Sequence, residues 1–139
     1  MPLKTRTIKQ RIFLPSVMPE EAYNALVDAK KHSAFTASKA TMNPRPGGKF
    51  TAWDGYISGK NLELVKGKKT VQEWKTSEWP EDYPSSLLQF TFLSVKGGTE
   101  IRIVHSKVPA SQVEQYREGW VTSYWDPLKE YFRAKKEKP

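Results

Sequence analysis

His32 and His105 are the only imidazoles in this 139-residue sequence, and there is no cysteine. That inventory excludes disulfides, thiolate nucleophiles, iron–sulfur clusters and Cys-ligated zinc. It is also too sparse for a His-rich metal site, so neither a metal nor a cofactor is expected. His105 shares strand parity with Ile101 and Ile103, which turns it inward. There it is a candidate general base or ligand-orienting group, although the commoner fate of such a residue is a core histidine hydrogen-bonded to a neighbour. Glu63 and Glu73 fall in strand-like runs, where an inward-facing carboxyl would be an acid or base candidate. Glu73 is opposite in parity to Trp74 and shares its side with Lys75, which favours a solvated face. Asp54 reads as a turn residue and Asp126 as a cap. Gly47-Gly48-Lys49 lacks phosphate-loop spacing and precedes a strand. No Ser-His-Asp, paired-carboxylate or metal-ligand constellation assembles, and no catalytic residue is assigned.

Periodicity supplies the elements that must position these groups. Residues 4–14 alternate as a strand ended by Pro15, with Ile8, Ile12 and Leu14 on one parity. A short helix follows: Pro19 suits its first turn, Glu20 and Glu21 complement its positive end, and Ala22, Tyr23, Leu26 and Val27 form its apolar stripe. A second short helical segment spans 31–35, and the Pro- and Gly-rich stretch 41–48 reads as loop. A meander of strands then runs over 48–53, 56–65, 69–76, 87–95 and 99–106, its first hairpin closed by a two-residue Asp54-Gly55 turn. The connection 77–85 carries Trp79 and Tyr83, which are either a binding rim or, for Trp79, a lid folded back on the core.

The strongest helical pattern runs from Val113 to Phe132, with Ser111 as N-cap and Glu114 in the capping-box position. Gly119 implies close backbone approach to the sheet. Pro127 implies a kink or restart at Asp126. A helix of about 20 residues, about 30 Å long, cannot cover both faces of a six-stranded sheet. The predicted fold is therefore α+β: a curved antiparallel sheet wrapped around a long C-terminal helix, with two short helices after the first strand.

Such a sheet leaves a gap under its helix. The inward parities place Leu88, Phe90 and Phe92 on one strand and Ile101, Ile103 and His105 on the next. With Trp74, and with Trp120 and Tyr124 from the helix, they line either a ligand cavity or a solid core. Arg117, beside Trp120, joins Trp79 and Tyr83 as a rim candidate that reaches a ligand carboxylate, stacks on a ring, or snorkels to solvent.

Charge narrows the partners. Of the net +8, Lys4, Arg6, Lys9 and Arg11 supply +4, the residues after Phe132 supply +3, and only +1 lies between. The basicity sits at the ends, so nucleic acid is a poor fit; residues 133–139 read as a disordered basic tail of a single domain over 1–139. No apolar run approaches the roughly 18 residues of a membrane span, and the N-terminus lacks a signal-peptide core, so a cytoplasmic protein is expected.

The run Pro46-Gly47-Gly48-Lys49-Phe50, followed by Asp54-Gly55, Ser58-Gly59, Leu62-Glu63-Leu64 and Thr70-Val71-Gln72-Glu73-Trp74, resembles the family of activator of heat shock protein 90 ATPase homologue-like domains. Trp79-Pro80, Gly98-Thr99-Glu100, Val104-His105-Ser106, Val108-Pro109, Arg117-Glu118-Gly119-Trp120 and Tyr124-Trp125-Asp126-Pro127 continue the match in order. The resemblance implies the SRPBCC superfamily and its helix-grip (START-like, Bet v-like) fold, with a seventh strand around 38–42. It also implies binding of a hydrophobic small molecule; with the inward parity of the aromatic residues, the leading reading is non-enzymatic binding of a hydrophobic or amphipathic molecule, with His105 or Tyr124 setting orientation. A chaperone ATPase is the alternative partner, since the eukaryotic co-chaperone carries such a domain at its C-terminal end. A chain of this length leaves no room for that protein's separate activating domain. A small cyclase or hydrolase using His105 is the third reading. Asn61 departs from the apolar residue usual in the family and changes the polarity of that wall.

Overall fold

Apolar residues at every second position commit each strand to one buried face, and the computed structural model, which describes residues 3–137, assembles these strands into one antiparallel sheet. The strands are β1 (Thr5–Pro15), β2 (Thr41–Met42), β3 (Lys49–Ala52), β4 (Ile57–Val65), β5 (Lys69–Thr76), β6 (Ser86–Val95) and β7 (Gly98–Pro109), in the order β1-β7-β6-β5-β4-β3-β2. The strand β2, a loop by its residues and a strand by the resemblance, pairs with β3 through Thr41–Thr51 and Met42–Phe50. Helices α1 (Pro19–Val27) and α2 (Ala29–Thr36) link the two edge strands. The Glu21 carboxylate accepts the Met18 backbone N–H at 3.0 Å to start α1, and Asp28 ends α1 and caps α2 by accepting the Lys31 N–H.

Curvature has local causes. Register shifts between Arg6 and Ile8 in β1 and between Asn61 and Glu63 in β4 mark bulges, which increase strand twist. At Gly59 a Cβ would overlap the Glu73 carbonyl oxygen and lie 2.7 Å from the Phe50 ring, so only glycine lets β4 pass there. The first hairpin differs from the expected two-residue turn. Strand β3 stops at Ala52, and Trp53, Asp54 and Gly55 all take positive φ before Tyr56 donates its N–H to the Trp53 carbonyl.

The C-terminal segment enters its helix through a 3-10 turn at Ala110–Gln112, where the Ala110 N–H donates to the Lys4 carbonyl at 3.0 Å. Helix α3 (Val113–Trp120) therefore has Gln112 at its N-cap, and the expected Ser111–Glu114 capping box does not form. Between α3 and α4 (Asp126–Glu137) the backbone widens into a π-turn over Val121–Trp125, with the Asp126 N–H donating to the Val121 carbonyl. Pro127 has no N–H to offer the Ser123 carbonyl and its ring crowds that oxygen, so the distortion falls one turn ahead of the proline. Where the sequence reads as a disordered tail from residue 133, α4 continues to Glu137, with Arg133 paired to Glu130 and the Lys135 ammonium 5.9 Å from the Tyr131 ring. Residues 138 and 139 of that expectation lie outside the described residues. No helix among the described residues is long and apolar enough to cross a membrane.

Candidate functional site

Between the β3–β4 turn, β5 and the C-terminal helix lies a recess of about 360 Å³, lined on the sheet side by Trp53, Tyr56, Ile57 and Trp74. Its helix side is built by Gln115, Tyr116, Gly119, Trp120, Ser123 and Tyr124, a stripe at three- and four-residue steps. Gly119 is where the helix gives way. The expectation that it marks close approach to the sheet is corrected, because a Cβ built there meets nothing within 4 Å. The missing side chain, with the small Ser123 one turn later, leaves volume that the surrounding rings do not fill. Trp53 holds a left-handed φ of 53°, uncommon for a bulky residue, and its ring lines the recess.

At the inner end of the recess, Tyr124 meets His32. The His32 Nδ1 lies 3.1 Å from the Leu26 carbonyl, which can only accept, so Nδ1 carries the proton. The Tyr124 hydroxyl, 2.9 Å away, must then donate to Nε2. Burial pushes the His32 pKa down and keeps the ring neutral, against a smaller upward pull from the Leu26 hydrogen bond. Burial raises the Tyr124 phenol well above its ordinary range, opposed slightly by the neighbouring Trp53 indole. The Trp53 Nε1–H is shielded from solvent yet donates no hydrogen bond, and the Thr70 hydroxyl is likewise buried without a partner.

The opening is polar. Gln115 donates to the Glu78 carboxylate at 2.8 Å, the Tyr56 hydroxyl also donates to that oxygen, and Gln112 donates to the Glu78 carbonyl at 2.7 Å. Tyr116 bonds Thr76 at 2.6 Å and donates to Gln112, and burial lifts its phenol to about 12.

His105 sits elsewhere and is fully buried. Its Nδ1 accepts from the Trp120 indole at 3.1 Å, and its Nε2 bonds the Ser86 hydroxyl at 2.7 Å; that hydroxyl donates onward to the Trp74 carbonyl. Both ring nitrogens are used within the protein, and burial lowers the pKa to about 3. This is a satisfied core histidine, which holds the Trp120 and Trp74 rings 5.6 Å apart.

Of the residues expected around a cavity, Trp74, Trp120 and Tyr124 line the recess. Leu88 and Phe90 border, with those three and His32, a separate void of about 20 Å³, room for little more than one water. Phe92, Ile101, Ile103 and His105 are packed in the core away from both. Of the rim candidates, Trp79 takes its alternative of a lid folded back on the core, its ring edge-on to Trp74 at 6.0 Å and its N–H donated to the Pro84 carbonyl. Tyr83 donates to the Lys4 carbonyl, and Arg117 pairs with Glu114 while its own carbonyl accepts from Gln10. Glu63 and Glu73 lie on the outer face, paired with Lys69 and Lys60. Asn61 is fully buried and accepts from Gln72 at 2.8 Å, so the polarity it adds is consumed inside the wall. Sequence reading missed His32, Trp53, Tyr56 and the vacancy at Gly119. The available signal was Gly119 and Ser123, two small residues one helical turn apart on the face carrying Tyr116 and Trp120. Among the described residues, no three His, Asp or Glu side chains come together as metal ligands.

A curved seven-stranded antiparallel sheet gripping a terminal helix, two short helices after its first strand, defines the helix-grip class of the SRPBCC superfamily. Residues 16–133 match the family model described as "Activator of Hsp90 ATPase homolog 1-like protein", and the chain belongs to that family. It is 35% identical over 126 residues to the human activator of 90 kDa heat shock protein ATPase homolog 1, covering 91% of this chain but 36% of that protein. Thus the chain spans about a third of the length of the curated relatives it matches. Among solved structures, an HSP90 activator from Plasmodium falciparum superposes with a TM-score of 0.81 at 27% identity, covering 92% of this chain and 95% of the other. A protein of the dynemicin biosynthetic locus gives a TM-score of 0.76 at 15% identity, covering 91% of this chain and 47% of that one, a likeness of fold alone.

Proposed function

We propose that this protein binds a hydrophobic or amphipathic small molecule, without transforming it, in the recess between β5, the β3–β4 turn and the C-terminal helix. The observation that carries the reading is the unfilled volume at Gly119, about 360 Å³ at the low end of ligand-site sizes and walled largely by aromatic rings. Desolvation of an apolar body against those rings supplies affinity at about 25 cal/mol per Å² buried. Tyr124, its proton held by His32, faces the interior as an acceptor. His105, already bonded at both nitrogens, favours neither the orienting role nor catalysis. The test is titration with a neutral solvatochromic dye, read by dye emission and by quenching of Trp53, Trp74 and Trp120. Micromolar binding to the native chain and at least about tenfold weaker binding to Gly119→Leu, whose side chain would occupy the recess, supports the reading; equal binding by both chains refutes it.

A second reading is contact with an Hsp90-type ATPase, favoured by the human and Plasmodium relatives. The edge strand β1 would supply the contact. Its exposed Lys9 and Arg11 form no ion pair among the described residues, and Arg11 sits opposite Arg102 of β7. Such a contact weakens with salt. Co-purification with the chaperone at low salt, lost in the Lys9→Glu/Arg11→Glu double variant, supports it; no retention at low salt removes it. Either role suits a cytoplasmic protein.

A further inference from the structure

We infer that the recess selects the charge of its ligand and takes an aromatic or alkyl ammonium in preference to a carboxylate. The inference rests on the binding role proposed above and adds the chemical class of the ligand. Six of the ten lining residues carry aromatic rings (Trp53, Tyr56, Trp74, Tyr116, Trp120 and Tyr124), and none is lysine, arginine or histidine. In a chain of net charge +8 that exclusion is a local property, since nothing in the lining offers a counter-charge to an anion. The faces of indole and phenol rings present negative potential, and a cation over one gains about 2- to 30-fold in affinity, more as water is excluded.

The opening adds a formal negative charge. The Glu78 carboxylate is bound by two lining side chains, Tyr56 through its hydroxyl and Gln115 through its amide at 2.8 Å. Its backbone is fixed as well, the N–H by Thr76 and the carbonyl by Gln112. Among the described residues no lysine or arginine pairs with it, whereas Glu63, Glu73, Glu100, Glu114 and Glu130 all have a basic partner. One carboxylate oxygen is occupied by Tyr56 and Gln115; the other accepts no hydrogen bond among the described residues and remains for a ligand. The connection 77–85 that carries Glu78 also contains Glu81 and Asp82 and no basic residue. The resulting arrangement is an aromatic box with an anchored, unpaired carboxylate at its mouth, which matches an apolar body ending in an ammonium group.

The test uses three ligands with one body and three charges: phenethylammonium, phenethyl alcohol and phenylacetate, titrated into the full chain by tryptophan fluorescence and calorimetry. The ammonium is expected to bind about tenfold more tightly than the alcohol, and phenylacetate more weakly than either. Glu78→Gln, an exposed isosteric change, should reduce ammonium affinity about 3- to 10-fold and lower the ammonium-to-alcohol ratio, with unfolding curves showing the fold intact. An ammonium that binds no better than the alcohol, a carboxylate that binds as well as the ammonium, or an ammonium-to-alcohol ratio unmoved by Glu78→Gln overturns the inference while the binding role stands. Failure of all three ligands and of the neutral dye overturns both.

Discussion

The two ends of the space between sheet and C-terminal helix are built from similar residues and end differently. At the β6–β7 end, Phe90, Phe92, Ile101 and Ile103 are buried solid, helped by α1, whose Tyr23 ring packs edge-on to Phe92 at 5.7 Å. At the β3–β5 end no residue of α1 or α2 lines the recess, and the terminal helix presents Gly119 and Ser123 where a large side chain would be needed to fill the gap. Each end has its histidine. His105 is locked between Trp120 and Ser86, while His32 bonds the hydroxyl of Tyr124, whose ring lines the recess. Aromatic content thus does not decide between core and container. That is decided by a second covering layer and by one absent side chain.

Trp120 serves both ends, touching Phe90 and Trp125 on one side and Trp74 and Tyr124 on the other. Trp120→Ala should therefore cost about 3–5 kcal/mol in chemical denaturation, whereas Trp53→Ala, half-buried at the open end, should cost clearly less, about 1–2 kcal/mol. Equal losses would mean that the open end is packed as the closed one is.

The next effect is on pH. His105, whose native pKa lies near 3, and His32, also lowered, stay neutral when folded but take up a proton when unfolded below their ordinary pKa near 6.5. The unfolded chain then binds more protons, so these groups make stability fall as pH drops from 6.5 toward 3, at up to about 1.4 kcal/mol per pH unit per histidine. Urea midpoints between pH 7 and 4.5 read the slope directly. A flat profile would contradict the burial of both rings.

The smallest effect concerns the helix gap. Gly119→Ala adds a Cβ that meets nothing and raises helix propensity, so it should stabilise by about 0.5–1 kcal/mol. Destabilisation would show that the backbone does approach the sheet there.

Much of this fold was legible in the sequence because each strand and the long helix bury one face. Parity alone placed Leu88, Phe90 and Phe92, and Ile101, Ile103 and His105, on the inside. The ends of elements were less legible. The 3-10 entry at Ala110, the turn at Trp53 and the π-turn before Pro127 depend on distant partners or on backbone strain that propensity does not encode. The site was legible only where its residues share a burial pattern, as Trp74, Trp120 and Tyr124 do. His32 was passed over because its partners, Leu26 and Tyr124, come from separate elements. The recess itself is an absence at Gly119, and a glycine in a helix reads the same whether it makes room for a neighbour or for nothing.

The most direct test of a container at one end and a solid core at the other is an amide and indole NMR titration with phenethylammonium. Shifts are expected at the Trp53 and Trp74 indole N–H signals and at the Gly119 and Ser123 amides, with the Trp125 indole, held by Gln10 at 2.7 Å, and the Ile101 and Ile103 amides unmoved. Shifts centred on Trp125, Ile101 and Ile103, or no shifts at saturating ligand, would contradict it.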